Sequence, residues 1–138
     1  MRKEKSYRAS RFGNTLLLRA VVGSGSGNVL QVQLLVDTGA SYTMLPVEVI
    51  EKLGYDTHHP LRQVQLTSAN GIVVAPLVAV SWFNCLGQLL KNFRVLAHTL
   101  PSASFDGVLG MDFLTRCRAI ISVEEAEIRC RKPKAKRS

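Results

Sequence analysis

The stretch at residues 34–41 constrains this chain most, because an apolar run passes there directly into a small, polar turn. Residues 34–36 are Leu-Leu-Val, which favours a buried strand. Residues 37–41 are Asp-Thr-Gly-Ala-Ser, and the glycine permits a tight turn and a close approach of the backbone. We therefore expect a strand that ends in a sharp turn and holds one carboxylate, that of Asp37, in a fixed place.

Short apolar runs of Val, Leu and Ile, separated by Gly, Pro, Asn and Ser, make up most of the chain and favour strands over helices. Its 138 residues are the length of one domain. We expect a mainly-β domain, a small closed or nearly closed β-barrel with two short helices. The predicted helices span residues 47–53 and 111–117, and the predicted strands span 15–22, 29–36, 63–67, 72–75, 77–83, 89–96, 119–123 and 127–130.

The net charge of +8 is concentrated at the two ends of the chain. Residues 1–11 carry a net charge of +4 and residues 129–138 a net charge of +6, whereas residues 12–128 carry −2. We expect a flexible basic arm over residues 1–11, a folded domain over 12–130 and a flexible basic tail over 131–138. Such ends are either solvated chain or a weak contact for nucleic acid or another acidic surface, and the sequence leaves both interpretations open.

The three cysteines have no paired spacing, which is typical of reduced thiols in a cytoplasmic protein. The N-terminus lacks an apolar signal segment, and the longest apolar run, residues 72–80, is far shorter than the roughly 20 residues of a membrane span. The histidines show no zinc-like spacing. We therefore expect no membrane contact, no metal and no cofactor.

A second motif follows the Asp37 turn by about seventy residues: Val108-Leu109-Gly110, then Met111 and Asp112. With the Asp-Thr-Gly turn, this order resembles that of the retropepsin-like aspartic proteases, the retroviral proteases and their single-domain relatives. The resemblance covers residues 15–130, and it is strongest to bacterial members whose second motif reads Leu-Gly-Met-Asp. It implies the small closed barrel of the retropepsin fold and an aspartic endopeptidase activity.

Peptide hydrolysis without a metal requires one group that accepts a proton from water and another that donates one to the carbonyl oxygen. Two adjacent carboxylates do both, because like charges about 3 Å apart cannot both ionise and so share one proton. Asp37 is the only aspartate of this chain with the required flanking residues, since Asp56, Asp106 and Asp112 lack them. The resemblance therefore implies a homodimer in which Asp37 meets its own copy across a two-fold axis.

The resemblance also assigns roles to neighbouring residues. Thr38 would brace the two turns across the axis, and Gly39 would bring its amide close to the carboxylate. The Asn70-Gly71 dipeptide, the strongest short-range signal for a hairpin, would form the tip of a flap that closes over a peptide substrate. The predicted substrate-binding residues are Ala40, Ser41, Asn70, Gly71, Ile72 and Val108.

Two departures from the retroviral pattern are visible. Met111 stands where retroviral proteins carry Arg, and the flap tip has a single glycine, Gly71. A second hypothesis is a weakly active or inactive dimeric binding module, whose basic ends dock on nucleic acid or an acidic partner. The intact Asp-Thr-Gly triplet favours the enzyme, because a scaffold has no need of it.

Overall fold

The computed structural model of the protein describes residues 4–68 and 71–131. These residues form eleven strands and two short helices. The helices are α1 (Val47–Lys52) and α2 (Met111–Arg116). The strands are β1 (Glu4–Arg8), β2 (Ser10–Phe12), β3 (Thr15–Gly23), β4 (Val29–Val36), β5 (Met44–Leu45), β6 (Arg62–Ser68), β7 (Gly71–Cys85), β8 (Gln88–Ala97), β9 (Gly107–Leu109), β10 (Ile120–Ser122) and β11 (Glu127–Arg131).

Six strands close into a barrel, which confirms the predicted fold class. The larger sheet has the order β2-β3-β4-β9-β5-β8-β7-β6, and β3 also pairs with β7, so the strands from β3 to β7 form a ring. Closure leaves β2 and β6 as the outer strands of this sheet. Residues 71–76 of β7 pair with β6 alone, so this part of the β6–β7 hairpin extends beyond the ring of six strands.

The barrel is filled from alternate positions of its strands, as a two-residue period demands. In β3, Leu16, Leu18, Ala20 and Val22 are all buried in one apolar cluster, while Arg19 is exposed. Three phenylalanines, Phe83, Phe93 and Phe113, pack with ring centroids 5.0 to 6.1 Å apart. Phe113 belongs to α2, so this contact fixes the helix that follows the second motif.

The β7 strand is longer than the sequence predicts. Pro76 was expected to separate two strands, but β7 runs continuously through it over fifteen residues. At this position β7 pairs only with the outer strand β6, through Gln63, whereas its pairing with β8 begins at Leu77. Proline is tolerated there because this part of β7 pairs on one side only, so the missing backbone N–H need not interrupt the ladder between β7 and β8.

The predicted flexible arm over residues 1–11 differs from the structure, which places Glu4–Arg8 in β1 and Ser10–Phe12 in β2. The β1 strand is antiparallel to β11, and β11 also pairs with β10 in a separate three-stranded sheet. The sequence does not predict β1, because its residues are mostly polar or charged and its pairing partner, β11, lies some 120 residues further along the chain. Of the predicted basic tail, only Arg131 is described, and residues 132–138, like residues 1–3, lie outside the described part of the chain. Neither helix, nor any other in the described ranges, is long and apolar enough to cross a membrane.

Candidate active site

Asp37 lies where the two sequence motifs meet. Strand β4 leads into it, and β4 pairs in parallel with β9, so that Val36 lies opposite Leu109. The backbone N–H of Asp37 continues this ladder by donating a 3.1 Å hydrogen bond to the carbonyl oxygen of Leu109. Two motifs that are seventy residues apart in the sequence are therefore adjacent in the barrel.

The turn after Asp37 is closed by its own backbone. The N–H of Gly39 donates a 2.9 Å hydrogen bond to Asp37 Oδ1, and the N–H of Ala40 donates to the carbonyl oxygen of Asp37 at 3.2 Å. A Cβ atom on Gly39 would lie 3.2 Å from that same carboxylate oxygen, tighter than nearly all real contacts. The Asp37 carboxylate is half-buried and oriented by a backbone donor.

The second motif is hydrogen-bonded to the turn that follows Asp37. The N–H of Met111 donates a 2.7 Å hydrogen bond to the carbonyl oxygen of Ala40, and the N–H of Asp112 donates to that of Ser41 at 3.3 Å. Gly110 lies against Tyr42, with no space for a side chain between them. The two N–H groups belong to the first turn of α2 and would otherwise lack partners, so the turn also completes the start of the helix.

Sequence analysis missed one interaction at this site. The Asp112 carboxylate accepts hydrogen bonds from the backbone N–H of Thr43, at 3.0 Å, and from its hydroxyl, at 2.8 Å. The position of Asp112 in the first turn of a helix, directly after an apolar-apolar-Gly motif, was the available signal. Nothing in the sequence singled out Thr43 as its partner, because the two residues are 69 positions apart.

A cavity of about 480 Å³ opens beside Asp37. The turn lines it through Asp37, Gly39, Ala40 and Ser41, and the β6–β7 hairpin lines it through Gln65, Leu66, Thr67 and Val73. Tyr42, Met44, Leu96, His98 and Leu100 complete the wall, which is largely apolar. Arg62 donates a 2.9 Å hydrogen bond to the hydroxyl of Tyr42, so the base of the hairpin is tied to the turn. The cavity is a cleft between a carboxylate and a projecting hairpin.

The structure brings only some of the predicted substrate-binding residues to this cleft. Ala40 and Ser41 line it. Val108 does not, since it is buried within the sheet, paired with Leu35 and Met44. Gly71 and Ile72 are exposed at the start of β7 and are not among the residues that line the cavity, while Asn70 lies outside the described residues.

Thr38 points to a different face from the cleft. It lines a separate cavity of about 270 Å³ with Met111, Leu114, Thr115, Ala119 and Ile121. Thr38 and Thr115 are exposed, and Met111 is 41% exposed despite its apolar side chain. This surface, which we call the Thr38 face, combines apolar groups with the residue predicted to contact a second subunit. Within the described ranges, no three His, Cys, Asp or Glu side chains are grouped as metal ligands.

Comparisons with known proteins agree on one family and one fold. A family model described as aspartyl protease matches residues 21–113, which include both motifs. The crystal structure of a retropepsin-like aspartic protease from Rickettsia conorii superposes with a TM-score of 0.69 at 21% sequence identity, covering 95% of this chain and 93% of that chain. The search of curated proteins found no match.

Proposed function

The chain belongs to the aspartyl protease family, and from this premise we propose an endopeptidase that acts as a homodimer, with Asp37 and Asp37 of the partner subunit as its catalytic pair. The observation that carries the proposal is the placement of Asp37, at the end of β4 and in the wall of the cleft. Of the described residues that line the cleft, it is the only carboxylate. A single carboxylate cannot be both proton acceptor and proton donor at once, so the second must come from another chain.

The other aspartates already have structural partners or lie elsewhere. Asp106 accepts a 2.7 Å hydrogen bond from the N–H of Gln33, and Asp112 binds Thr43. Asp56 is in an exposed loop, where a hydrogen bond from His59 lowers its pKa. This distribution supports a site assembled from two copies of Asp37 rather than one completed within a single subunit.

In the proposed reaction, one Asp37 of the pair is ionised and the other is protonated. The ionised carboxylate accepts a proton from a water molecule, whose oxygen attacks the peptide carbonyl, while the protonated one donates to the carbonyl oxygen. The tetrahedral intermediate then collapses as the amide nitrogen accepts a proton and leaves. The hydrogen bond from Gly39 N–H orients the carboxylate, and it requires no side chain that could obstruct the water.

The substrate of this proposal is an extended peptide or protein segment. The cleft between the turn and the β6–β7 hairpin is mostly apolar, so side chains of the substrate would be recognised by burial, and its backbone by hydrogen bonds to the hairpin. Gly71 and Ile72 would contact it only after the hairpin closes, and Val108 would support β4 from within the sheet instead of touching the substrate. Ala40 and Ser41 of the turn line the cleft and would also contact the substrate.

We also propose that the protease domain begins at Glu4, because β1 pairs with β11. The three cysteines are free thiols, which suits the reducing cytoplasm. No observation on the described residues favours a second function in nucleic-acid binding.

The test is a peptide-library cleavage assay of the purified protein across acidic and neutral pH. The wild type is expected to cleave, and Asp37→Asn to lose cleavage, because the pair then has no ionisable group at all. Asp56→Asn is the matched control, since it makes the same chemical change in an exposed loop, and it should cleave at the wild-type rate. Equal cleavage by wild type and Asp37→Asn, or no cleavage by the wild type at any pH, would reject the proposal.

A further inference from the structure

We propose that Thr43 and Asp112 are positioning residues for catalysis, which hold the Asp37 turn in the orientation that lets two copies of Asp37 meet. The inference rests on the proposed function, since it concerns the same site. Neither residue touches the cleft: Thr43 is fully buried, and neither side chain is among those that line the cavity. Any contribution to the chemistry must therefore act through the turn.

The hydrogen bonds between the two residues fix both position and orientation. Asp112 Oδ2 accepts from the backbone N–H of Thr43, and Asp112 Oδ1 accepts from its hydroxyl. The same hydroxyl oxygen accepts a 3.2 Å hydrogen bond from the N–H of Gly110. Two parallel bonds to one carboxylate prevent rotation as well as displacement, and bonds to a charged acceptor are roughly twice as strong as neutral ones.

The carboxylate has a further donor in its own helix. The N–H of Phe113 lies 2.8 Å from Asp112 Oδ1. Phe113 is fully buried between Phe83 and Phe93, so the helix cannot shift without disturbing the barrel core. Asp112 therefore links the end of the turn to the buried aromatic cluster of the barrel core.

The whole turn is fastened to one four-residue segment. At the start of the turn, Asp37 is hydrogen-bonded to Leu109, and in the middle Ala40 is hydrogen-bonded to Met111. At the end of the turn, Thr43 is hydrogen-bonded to Asp112. The first two contacts use only backbone atoms, whereas both hydrogen bonds of the third are accepted by the side chain of Asp112. One of these two bonds also requires the Thr43 hydroxyl. A change of side chain at Thr43 or Asp112 would therefore loosen the end of the turn, while the backbone bonds of Ala40 and Ser41 to α2 remain.

Loosening of the turn would affect catalysis more than substrate binding. The two carboxylates must share one proton, and this needs them at hydrogen-bonding distance in a defined orientation. A displacement of about 1 Å at reacting groups costs on the order of a hundredfold in rate. Part of the cleft wall comes from the β6–β7 hairpin, through Gln65, Leu66, Thr67 and Val73. The bonds between Thr43 and Asp112 do not involve these residues, so their contacts with a substrate should remain.

The experiment compares Thr43→Val, which removes the hydroxyl but keeps the shape, with Thr43→Ser, which keeps the hydroxyl. Assays are run at a subunit concentration at which sedimentation shows every variant to be dimeric. We expect kcat of Thr43→Val to fall about a hundredfold, with KM within about threefold of wild type, while Thr43→Ser retains most of the rate. Thr99→Val is the control, because the Thr99 hydroxyl also accepts a backbone hydrogen bond, from Val47, in an exposed position.

Asp112→Asn is the second variant, and it should show the same fall in kcat because in either orientation its NH2 group would face a backbone N–H, that of Thr43 or that of Phe113. Hydrogen exchange of residues 37–43 gives a readout independent of activity, and it should accelerate in both variants while β3 and β7 stay protected. Folded, dimeric Thr43→Val with the kcat of Thr43→Ser would overturn the inference. So would unfolding of both variants, which would make the pair a determinant of overall stability. A wild type that never cleaves rejects the proposed function instead, and unchanged exchange of the turn in the variants then rejects the positioning role separately.

Discussion

Gly110 lies so close to Tyr42 that a Cβ atom on Gly110 would be 2.6 Å from both the carbonyl carbon and the carbonyl oxygen of Tyr42. The same atom would be 3.0 Å from the carbonyl oxygen of Ala40. All three neighbouring atoms belong to the backbone, so no side-chain rotation can make space. The close packing of the second motif against the Asp37 turn therefore depends on the absence of a side chain at residue 110.

This contact predicts that Gly110→Ala is destabilising and inactive. One methyl group must displace the backbone of the turn, which we expect to lower the free energy of unfolding by about 3 kcal/mol. Chemical denaturation measures the loss, and peptide cleavage should fall with it. Gly25→Ala is the matched control, because its Cβ would meet only Ser81 Oγ at an ordinary 3.6 Å. Equal stability of the two variants would contradict the packing described.

A subunit-mixing experiment tests whether the site needs two chains. If both copies of Asp37 are required, activity should follow the square of the wild-type fraction when Asp37→Asn subunits are mixed in and allowed to exchange. An equal mixture should then retain about one quarter of the activity, as a two-fold symmetric site demands. A site complete within one subunit would retain about half. The measurement is the initial cleavage rate at constant total protein.

The Thr38 face predicts where the subunits meet. Met111→Glu places a charge on this partly apolar surface, and two-fold symmetry would bring in two such charges. We expect the dimer dissociation constant, measured by sedimentation equilibrium, to rise about a hundredfold, because an unpaired charge is costly to bury. Val29→Glu is the control at an exposed apolar residue, and seven residues of extended strand put it roughly 25 Å from the end of β4. If Met111→Glu leaves the dimer intact, the subunits meet through another surface.

The cysteines predict a selective oxidation. Cys117 Sγ and Cys130 Sγ are buried 3.0 Å apart. Their hydrogen bond lowers the pKa of Cys130 and raises that of Cys117, which burial raises further. Burial raises the pKa of Cys85 to about 12, which leaves its thiol protonated and unreactive.

With oxidised glutathione in excess, we expect a Cys117–Cys130 disulfide. Cys130 is buried, so it would react when the β1–β11 pair opens locally. Its thiolate would then displace one glutathione, and Cys117 would displace the second, so two thiols are oxidised and one glutathione disulfide is reduced. The rate should increase as the pH rises through the pKa of Cys130, since only the thiolate attacks. Peptide mapping by mass spectrometry identifies the bond. Cys85→Ser should behave as wild type, whereas a stable glutathione adduct on Cys85 would contradict the prediction.

Local patterns in the sequence were sufficient for most elements of the barrel. Short runs of Val, Leu and Ile predicted the strands that became β3, β4, β6 and β8, because strand preference depends largely on neighbouring positions. Pro46 before α1 and Gly54 after it marked that helix in the same way. The Asp37 turn was also predictable from local sequence, since the hydrogen bonds within the turn join residues two or three positions apart.

Only the tertiary structure decided what surrounds that turn. The parallel pairing of β4 with β9, the bond of Asp112 to Thr43 and the pairing of β1 with β11 all join residues about 70 or more positions apart. A hydrogen bond between residues so far apart in the sequence depends on the path of the whole chain. The residues next to one partner therefore do not indicate which residue the other partner is. The sequence alone thus determined that Asp37 is held in a tight turn at the end of a strand, and the closure of the barrel determined which residues hold the turn in place.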